Sequence, residues 1–240
     1  MSSLAYTRQW TVLPSRLEVC RPSAVPHSMG TMRFLPFAVL ATTAGWLGSQ
    51  WDALPERWVT HWGRGGVPDG YAVKSLGGVF SPLVVAAVLA VLFEGVAAVT
   101  EYSTRARFPQ LARAYGNLVR WLSLGVVSAM CGVGLMLPSA TPPSPHVLIG
   151  GALATVVLAL VAGAAGIASA TRQMAARGES LPKGYSPLLY RNPEDPRLIV
   201  PKLVGIGWTL NFAHRAAWPL LALMLLPALV TLIAVLVATR

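Results

Sequence analysis

Long apolar segments separated by short polar ones dominate this chain of 240 residues. Five segments hold the roughly 20 mostly apolar residues that a helix needs to cross a hydrocarbon core about 30 Å thick. They are residues 34–51, 82–100, 118–137, 147–170 and 220–238. Each is expected to be helical, because a lipid-exposed strand or loop would leave backbone N–H and C=O groups without hydrogen bonds. The pattern predicts an all-α fold, a polytopic membrane bundle of about five transmembrane helices.

Composition supports this interpretation. Hydrophobic residues make up 54% of the chain and charged residues only 12%, whereas soluble domains carry about 25% charged residues. Cys20 lies near the N-terminus and Cys131 inside the third apolar segment, so the two cysteines do not form a disulfide framework or a metal-ligand set. The sequence predicts neither a cofactor nor a metal.

The net charge of +10 is distributed unevenly. Fifteen of the nineteen Lys and Arg residues precede the first span, separate spans two and three, or separate spans four and five. The second of these groups includes Arg105, Arg113 and Arg120. By the positive-inside rule, the N-terminus is cytoplasmic and the C-terminus outside. The basic segments are expected to contact the lipid bilayer rather than nucleic acid.

The spans divide the chain into four regions. Residues 1–31 are predicted to be a disordered extension, and residues 32–101 a two-span domain with an external loop at 52–79. Residues 102–171 form a hairpin of spans three and four, and residues 172–240 a cytoplasmic segment and the final span. Span four is expected at the centre of the bundle, because Ala162, Gly166 and Ala170 place small residues four apart on one face.

Glu94 is a carboxylate well inside the second span. A charge at the bilayer centre costs about 2.5–3.5 kcal/mol on the insertion scale, so this side chain is expected to face the bundle. We favour a hydrogen-bonded structural carboxyl. The alternative is a proton or cation site, which would suit a small ion-coupled transporter or permease.

The external loop holds the candidate ligand-binding residues. Pro55 and Gly66 predict tight turns, and His61, Asp69 and Lys74 place polar groups on a short tether between two spans. A structural interpretation remains open, in which Asp69 closes a turn and His61 packs between neighbouring tryptophans. The two-histidine pattern of zinc proteases is absent from the loop, and no catalytic residues are predicted, so we do not expect an enzyme.

A second motif precedes the last span, at residues 192–214. Its candidate residues are Asp195, Lys202, Trp208 and Asn211. The stretch is too apolar for a free loop, and we expect it to lie on the membrane surface or beneath the bundle, with Lys202 near lipid headgroups. A cytoplasmic regulator is a candidate partner for this segment.

The external motif resembles the domain of unknown function at the N-terminus of SdpI-like bacterial membrane proteins. The likeness rests on Leu54-Pro55-Glu56-Arg57, Thr60-His61-Trp62, Gly66-Val67-Pro68-Asp69-Gly70 and Lys74, and it covers about residues 34–100. It implies a multi-pass protein of the bacterial cytoplasmic (inner) membrane, in a family tied to immunity against toxin peptides and to sequestration of a repressor. Residues 192–214 resemble a second uncharacterised bacterial module, and the chain departs from the immunity proteins after span two.

The sequence therefore favours a non-enzymatic membrane protein of receptor, immunity or signalling type. Its external loop would recognise a ligand such as a toxin peptide, and its cytoplasmic segment would contact a partner. The alternative is the transporter that uses Glu94.

Overall fold

The computed structural model of the chain describes residues 31–63, 66–138 and 144–238. The predicted N-terminal extension, apart from Thr31, lies outside the described residues. The helices are α1 (Leu35–Ser49), α2 (Leu76–Thr104), α3 (Pro109–Met136), α4 (Pro145–Ala176) and α5 (Ala217–Ala238). Two antiparallel hairpins accompany them: β1 (Arg57–Trp62) with β2 (Pro68–Val73), and β3 (Ile199–Pro201) with β4 (Trp208–Leu210).

The helices confirm a membrane helical bundle. Among the described residues, α2, α3 and α4 are long and apolar enough to cross a bilayer, and Ala217–Pro227 within α5 is a shorter apolar helix. The first and the last of the five predicted spans are therefore not among these three. Helix α1, in the first predicted span, has 15 residues, which at 1.5 Å per residue is about 22 Å and less than a hydrocarbon core.

Two helices begin well before the apolar segments that mark the predicted spans. Helix α2 begins at Leu76 because the Ser75 hydroxyl accepts a hydrogen bond from the Gly78 backbone N–H at 3.0 Å, and the helix then continues through Pro82. Helix α3 begins at Pro109, which occupies the first helical position, where its missing N–H costs nothing. The turns that precede each predicted span are therefore part of the helix.

Helix α3 is the centre of the bundle. It packs against α1, α2 and α4, whereas α4 packs extensively on α3 alone. The prediction that span four lies at the centre is therefore wrong. Of the predicted small-residue face, Ala170 is buried, Ala162 is half-buried and Gly166 is exposed. The buried positions of α4 also include Ala159, Gly163 and Ile167.

The close approach of α3 and α4 depends on glycine. A Cβ at Gly125 would lie 3.0 Å from the Thr155 carbonyl oxygen, and a Cβ at Gly163 would lie 3.0 Å from the Leu118 Cα. The Thr155 hydroxyl donates a hydrogen bond to the Gly125 carbonyl across this contact, at 3.3 Å. The interface thus uses small residues to bring two backbones together, as expected for helices that pack in lipid.

The hairpins are the main departure from an all-helical expectation. Strand β1 pairs with β2 with a register irregularity around His61. Leu54 and Trp58 join a buried cluster with Leu47 of α1, Ala86 of α2 and Val127 of α3. The loop predicted to be external is therefore an ordered hairpin seated on one end of the bundle.

A substitution pair on one helix tests the α3–α4 contact. We expect Gly163→Val to lower the stability of the protein by about 1–3 kcal/mol, because added methyl groups in a packed contact force the backbones apart. Gly166→Val on the same helix serves as the control, since nothing lies within 4 Å of a Cβ there. Thermal unfolding in detergent measures both. Equal melting temperatures would contradict the α3–α4 contact described here.

Candidate functional site

A buried ion cluster joins α2 to α3. Arg120 of α3 donates from Nε to Glu94 Oε2 and from Nη2 to Glu94 Oε1, both at 2.9 Å. Its Nη1 also donates to Glu101 Oε1, at 2.5 Å, and to Asn117 Oδ1, at 3.3 Å. The Arg120 side chain is 5% exposed, and those of Glu94 and Glu101 are each 29% exposed. One guanidinium thus binds two carboxylates inside the bundle.

Helix geometry explains why these residues meet. Glu94 and Glu101 lie seven positions apart, two turns of α2, and therefore on one face. Gly116 of α3 packs against the Glu101 side chain, where a Cβ would collide with the carboxylate. An arginine suits this position because its planar fork binds a carboxylate bidentately. The cluster fixes both the register and the facing sides of the two helices.

The cluster changes the prediction for two residues. The sequence pattern groups Arg120 with the basic loop residues, but the structure places it in the interior of α3 with its charge paired. Glu94 accepts hydrogen bonds, as the favoured interpretation required, and Glu101 is a second carboxylate that this interpretation did not include. The positive-inside rule cannot find such a pair, since it counts charges without regard to the face of the helix.

The hairpin of β1 and β2 presents an exposed pair. His61 Nδ1 lies 2.5 Å from Asp69 Oδ1, and the two side chains are 72% and 53% exposed. Gly70 faces His61 across the strands, where a Cβ would come within 2.7 Å of the His61 Cβ. His61 thus contacts Asp69 and Gly70 rather than being enclosed by tryptophans, and Trp58 is buried in the bundle cluster.

The other three candidate residues of the loop, Lys74, Gly66 and Pro55, contribute to the packing or the turn of the hairpin. Lys74 is only 12% exposed; its backbone N–H donates to the Glu56 carbonyl at 2.9 Å, and its Nζ lies 5.9 Å from the centre of the Trp51 ring. Gly66 has φ of 74°, a conformation that favours glycine in the turn between β1 and β2. Pro55 is half-buried beside Leu54. Only His61 and Asp69 among the five candidates present polar groups at an open surface.

The segment between α4 and α5 is organised by Asn211. Its side chain is 1% exposed and its Nδ2 donates to the carbonyls of Asn192 and Asp195, at 2.9 and 3.0 Å. Its Oδ1 accepts from the backbone N–H groups of Asn192 and Ala213, at 3.0 and 3.1 Å. These four hydrogen bonds hold residues 192–195 against residues 211–213.

Asp195 adds a second fixed point. It binds Arg197 through Nε and Nη2, and it accepts a hydrogen bond from the Tyr190 hydroxyl at 2.8 Å. The hydrogen bonds from the Arg197 side chain, then from its backbone N–H, then from Tyr190 hold the pKa of Asp195 well below its usual range. The pKa of Asp195 is lower in the folded protein than in the unfolded chain. Its ion pair with Arg197 therefore stabilises the segment at pH values above the ordinary carboxyl pKa, and this stabilisation is lost as the pH falls through the folded-state pKa.

The segment docks on the end of α2. The Gly205 backbone N–H donates to the Thr104 hydroxyl at 2.9 Å, and Leu203 and Val204 pack against a cluster that includes Leu111 of α3 and Ile167 of α4. We define this segment, residues 181–214, as the inner module, after the cytoplasmic side that the sequence predicts for it. It does tuck against the bundle, while Trp208 on β4 is exposed. Tyr190 and Thr104 are contributors that the sequence prediction missed.

The hairpin and the inner module lie at opposite ends of one helix. Strand β2 leads directly into the start of α2, and the inner module binds Thr104 at its end. The 29 residues of α2 span about 43 Å at 1.5 Å per residue. A helix long enough to cross a bilayer therefore separates the two surfaces.

Two family models match segments of the chain that overlap these two surfaces. Residues 38–86 match the domain of unknown function DUF1648, and residues 193–218 match the family of unknown function DUF5808. The two matches together cover less than half of the chain. No match to a curated protein or to a solved structure was found. No group of three or more metal-ligating side chains occurs in the parts of the chain that the structure describes.

Removal of the guanidinium tests the ion cluster. We expect Arg120→Met to lower stability by about 3–5 kcal/mol, because two carboxylates stay in the bundle without a cation. Adding Glu94→Gln and Glu101→Gln to the same chain should restore much of the loss. Arg113→Met, at an exposed position of α3, is the control. Thermal unfolding in detergent should rank the Arg120 single variant lowest, and a ranking equal to Arg113→Met would contradict a buried cluster.

Asn211→Ala tests the inner module separately. Loss of the amide leaves two backbone N–H groups and two carbonyls without their partner, and each unsatisfied buried group costs about 1–3 kcal/mol. We expect hydrogen exchange to accelerate over residues 190–213, with α2 and α3 unaffected. Exchange that accelerates equally in the helices, or nowhere, would contradict a local network.

Proposed function

We propose that this integral membrane protein is a non-enzymatic receptor of immunity or signalling type, whose external hairpin recognises a peptide. The observation that carries the proposal is the way the hairpin is held. Leu54 and Trp58 anchor it in the bundle core, and His61 and Asp69 stand exposed on it as a hydrogen-bonded pair. A rigid support that presents exposed polar groups is the usual arrangement of a binding loop.

The sheet favours an extended peptide as the ligand. The hairpin has two strands that pair only with each other among the described residues. The outer edge of each strand thus offers backbone donors and acceptors that an added strand can bind. His61 on β1 and Asp69 on β2 would supply specificity through side-chain contacts with the added strand.

The resemblance to SdpI-like proteins supports the setting. By that likeness the protein belongs to the bacterial cytoplasmic membrane, and a toxin peptide is the ligand class. The distribution of basic residues supports an N-in/C-out orientation with the hairpin outside. The inner module would then meet a cytoplasmic regulator, at the other end of α2.

The alternative is a small ion-coupled transporter. It is favoured by the excess of carboxylate over guanidinium in the cluster, where Glu94 and Glu101 share Arg120. Proton uptake by proteoliposomes that carry the parent chain, and its loss with Glu94→Gln, would support transport. The bidentate binding of Glu94 by Arg120 favours the structural role instead.

Peptide selection tests the receptor proposal. Phage-displayed peptides of about ten residues, the length of a long strand, are selected on the protein in nanodiscs. We expect enriched peptides to bind the parent chain and to lose at least about tenfold in affinity for His61→Ala or Asp69→Ala, the equivalent of one good polar contact. Binding is measured by interferometry on the same nanodiscs.

Asp52→Ala is the matched control, because Asp52 is an exposed carboxylate on the turn before the hairpin. Each variant must melt like the parent in detergent. Peptides that bind all variants equally, or no enrichment above empty nanodiscs, would contradict the proposal. If the variants lose affinity and melting temperature together, the hairpin has a structural role and not a binding role.

A further inference from the structure

A cleft of about 380 Å³ lies between the bundle and the inner module. One wall is formed by Val96 and Thr100 of α2 and by Tyr115 and Val119 of α3. The opposite wall is formed by the inner module, through residues 185–190, residues 202–206 and Thr209. Its volume is in the range of sites that hold small molecules.

The lining combines an apolar floor with a few polar groups. Val96, Val119 and Leu203 offer hydrocarbon surface, whereas the Tyr115 hydroxyl and the Lys202 ammonium have no hydrogen-bond or ion-pair partner among the described residues. Lys183 pairs with Glu194 and Arg197 with Asp195, whereas Arg191 is exposed and does not line the cleft. Lys202 is thus an unpaired positive charge on the wall of a largely apolar cleft.

The position of the cleft identifies the ligand class. It lies beside the last turns of α2, a helix long and apolar enough to cross a bilayer, and the end of such a helix would lie where acyl chains meet headgroups. Leu188 and Ile206 line it and are themselves exposed, and Trp208 is exposed nearby. Aromatic and apolar side chains beside a free lysine are typical of contacts at the interface between headgroups and acyl chains. A water-soluble metabolite would gain little from the apolar floor.

We infer that this cleft binds one anionic phospholipid of the bilayer, with its phosphate at Lys202 and an acyl chain along Val96 and Val119. Gly205 lets the module approach this wall. Its φ of 78° favours glycine, and its N–H binds Thr104 beside the cleft. The lipid would fill the space between module and bundle and so attach the module to the membrane. This inference does not depend on the peptide receptor proposed above.

Lipid retention tests the inference. The full chain is placed in nanodiscs of phosphatidylcholine with a minor share of phosphatidylglycerol, and native mass spectrometry counts the lipids that it retains. We expect one phosphatidylglycerol to be retained in preference to phosphatidylcholine. Lys202→Gln should weaken this retention about fivefold, the equivalent of one lysine's attraction to anionic headgroups.

Two further variants separate the cleft from general surface charge. Arg215→Gln removes an exposed cation that does not line the cleft and should leave retention unchanged. Val119→Phe fills the apolar floor and should reduce retention while Lys202 is present. Hydrogen exchange over residues 190–213 verifies that each variant keeps the module folded.

Three results would overturn the inference. Equal retention of both lipids would remove the anionic site, and equal losses for Lys202→Gln and Arg215→Gln would indicate diffuse surface charge. Displacement of the retained lipid by millimolar inorganic phosphate would indicate a free-phosphate site instead.

Discussion

The rest of the structure depends on the contact of the Arg120 guanidinium with Glu94 and Glu101. Two carboxylates of α2 bind it inside the bundle, and an ion pair in this environment is tolerated only when hydrogen bonds satisfy its polar atoms. The contact fixes which faces of α2 and α3 meet and at what height. Because α3 is also the helix on which α1 and α4 pack, that one choice of register sets the frame of the whole bundle.

The frame explains how two small β-structures become ordered in a chain built for lipid. The hairpin of β1 and β2 is too small to be stable alone, and it gains its core from Leu47, Ala86 and Val127 of the helices. The inner module likewise depends on its contact with Thr104, together with the Asn211 network inside it. The position of each surface is therefore set by the helix end to which it is attached.

The hydrophobic pattern of the sequence predicted part of this structure and gave no information about the rest. Apolar length predicts the membrane bundle, and the turn residues of the external loop correctly mark an ordered element. Pattern alone could not locate Arg120, because a basic residue near the end of an apolar run is indistinguishable from a loop charge until its helix face is known. It also misplaced the centre of the bundle, because small residues four apart mark a helix that packs closely but not how many helices it packs against, and the helix with the most partners is α3. Whether His61, Asp69 and the residues of the inner module act in binding stays a prediction.

Cysteine accessibility tests most directly the claim that α2 carries the two surfaces to opposite sides of a membrane. In a chain with Cys20 and Cys131 replaced by Ser, Val67→Cys reports on the hairpin and Glu179→Cys on the segment that leads to the inner module; both positions are exposed. An impermeant maleimide applied to intact cells should label position 67 and should reach position 179 only after permeabilisation. Labelling of both positions from one side would contradict the separation of the two surfaces, and the reverse pattern would invert the proposed orientation.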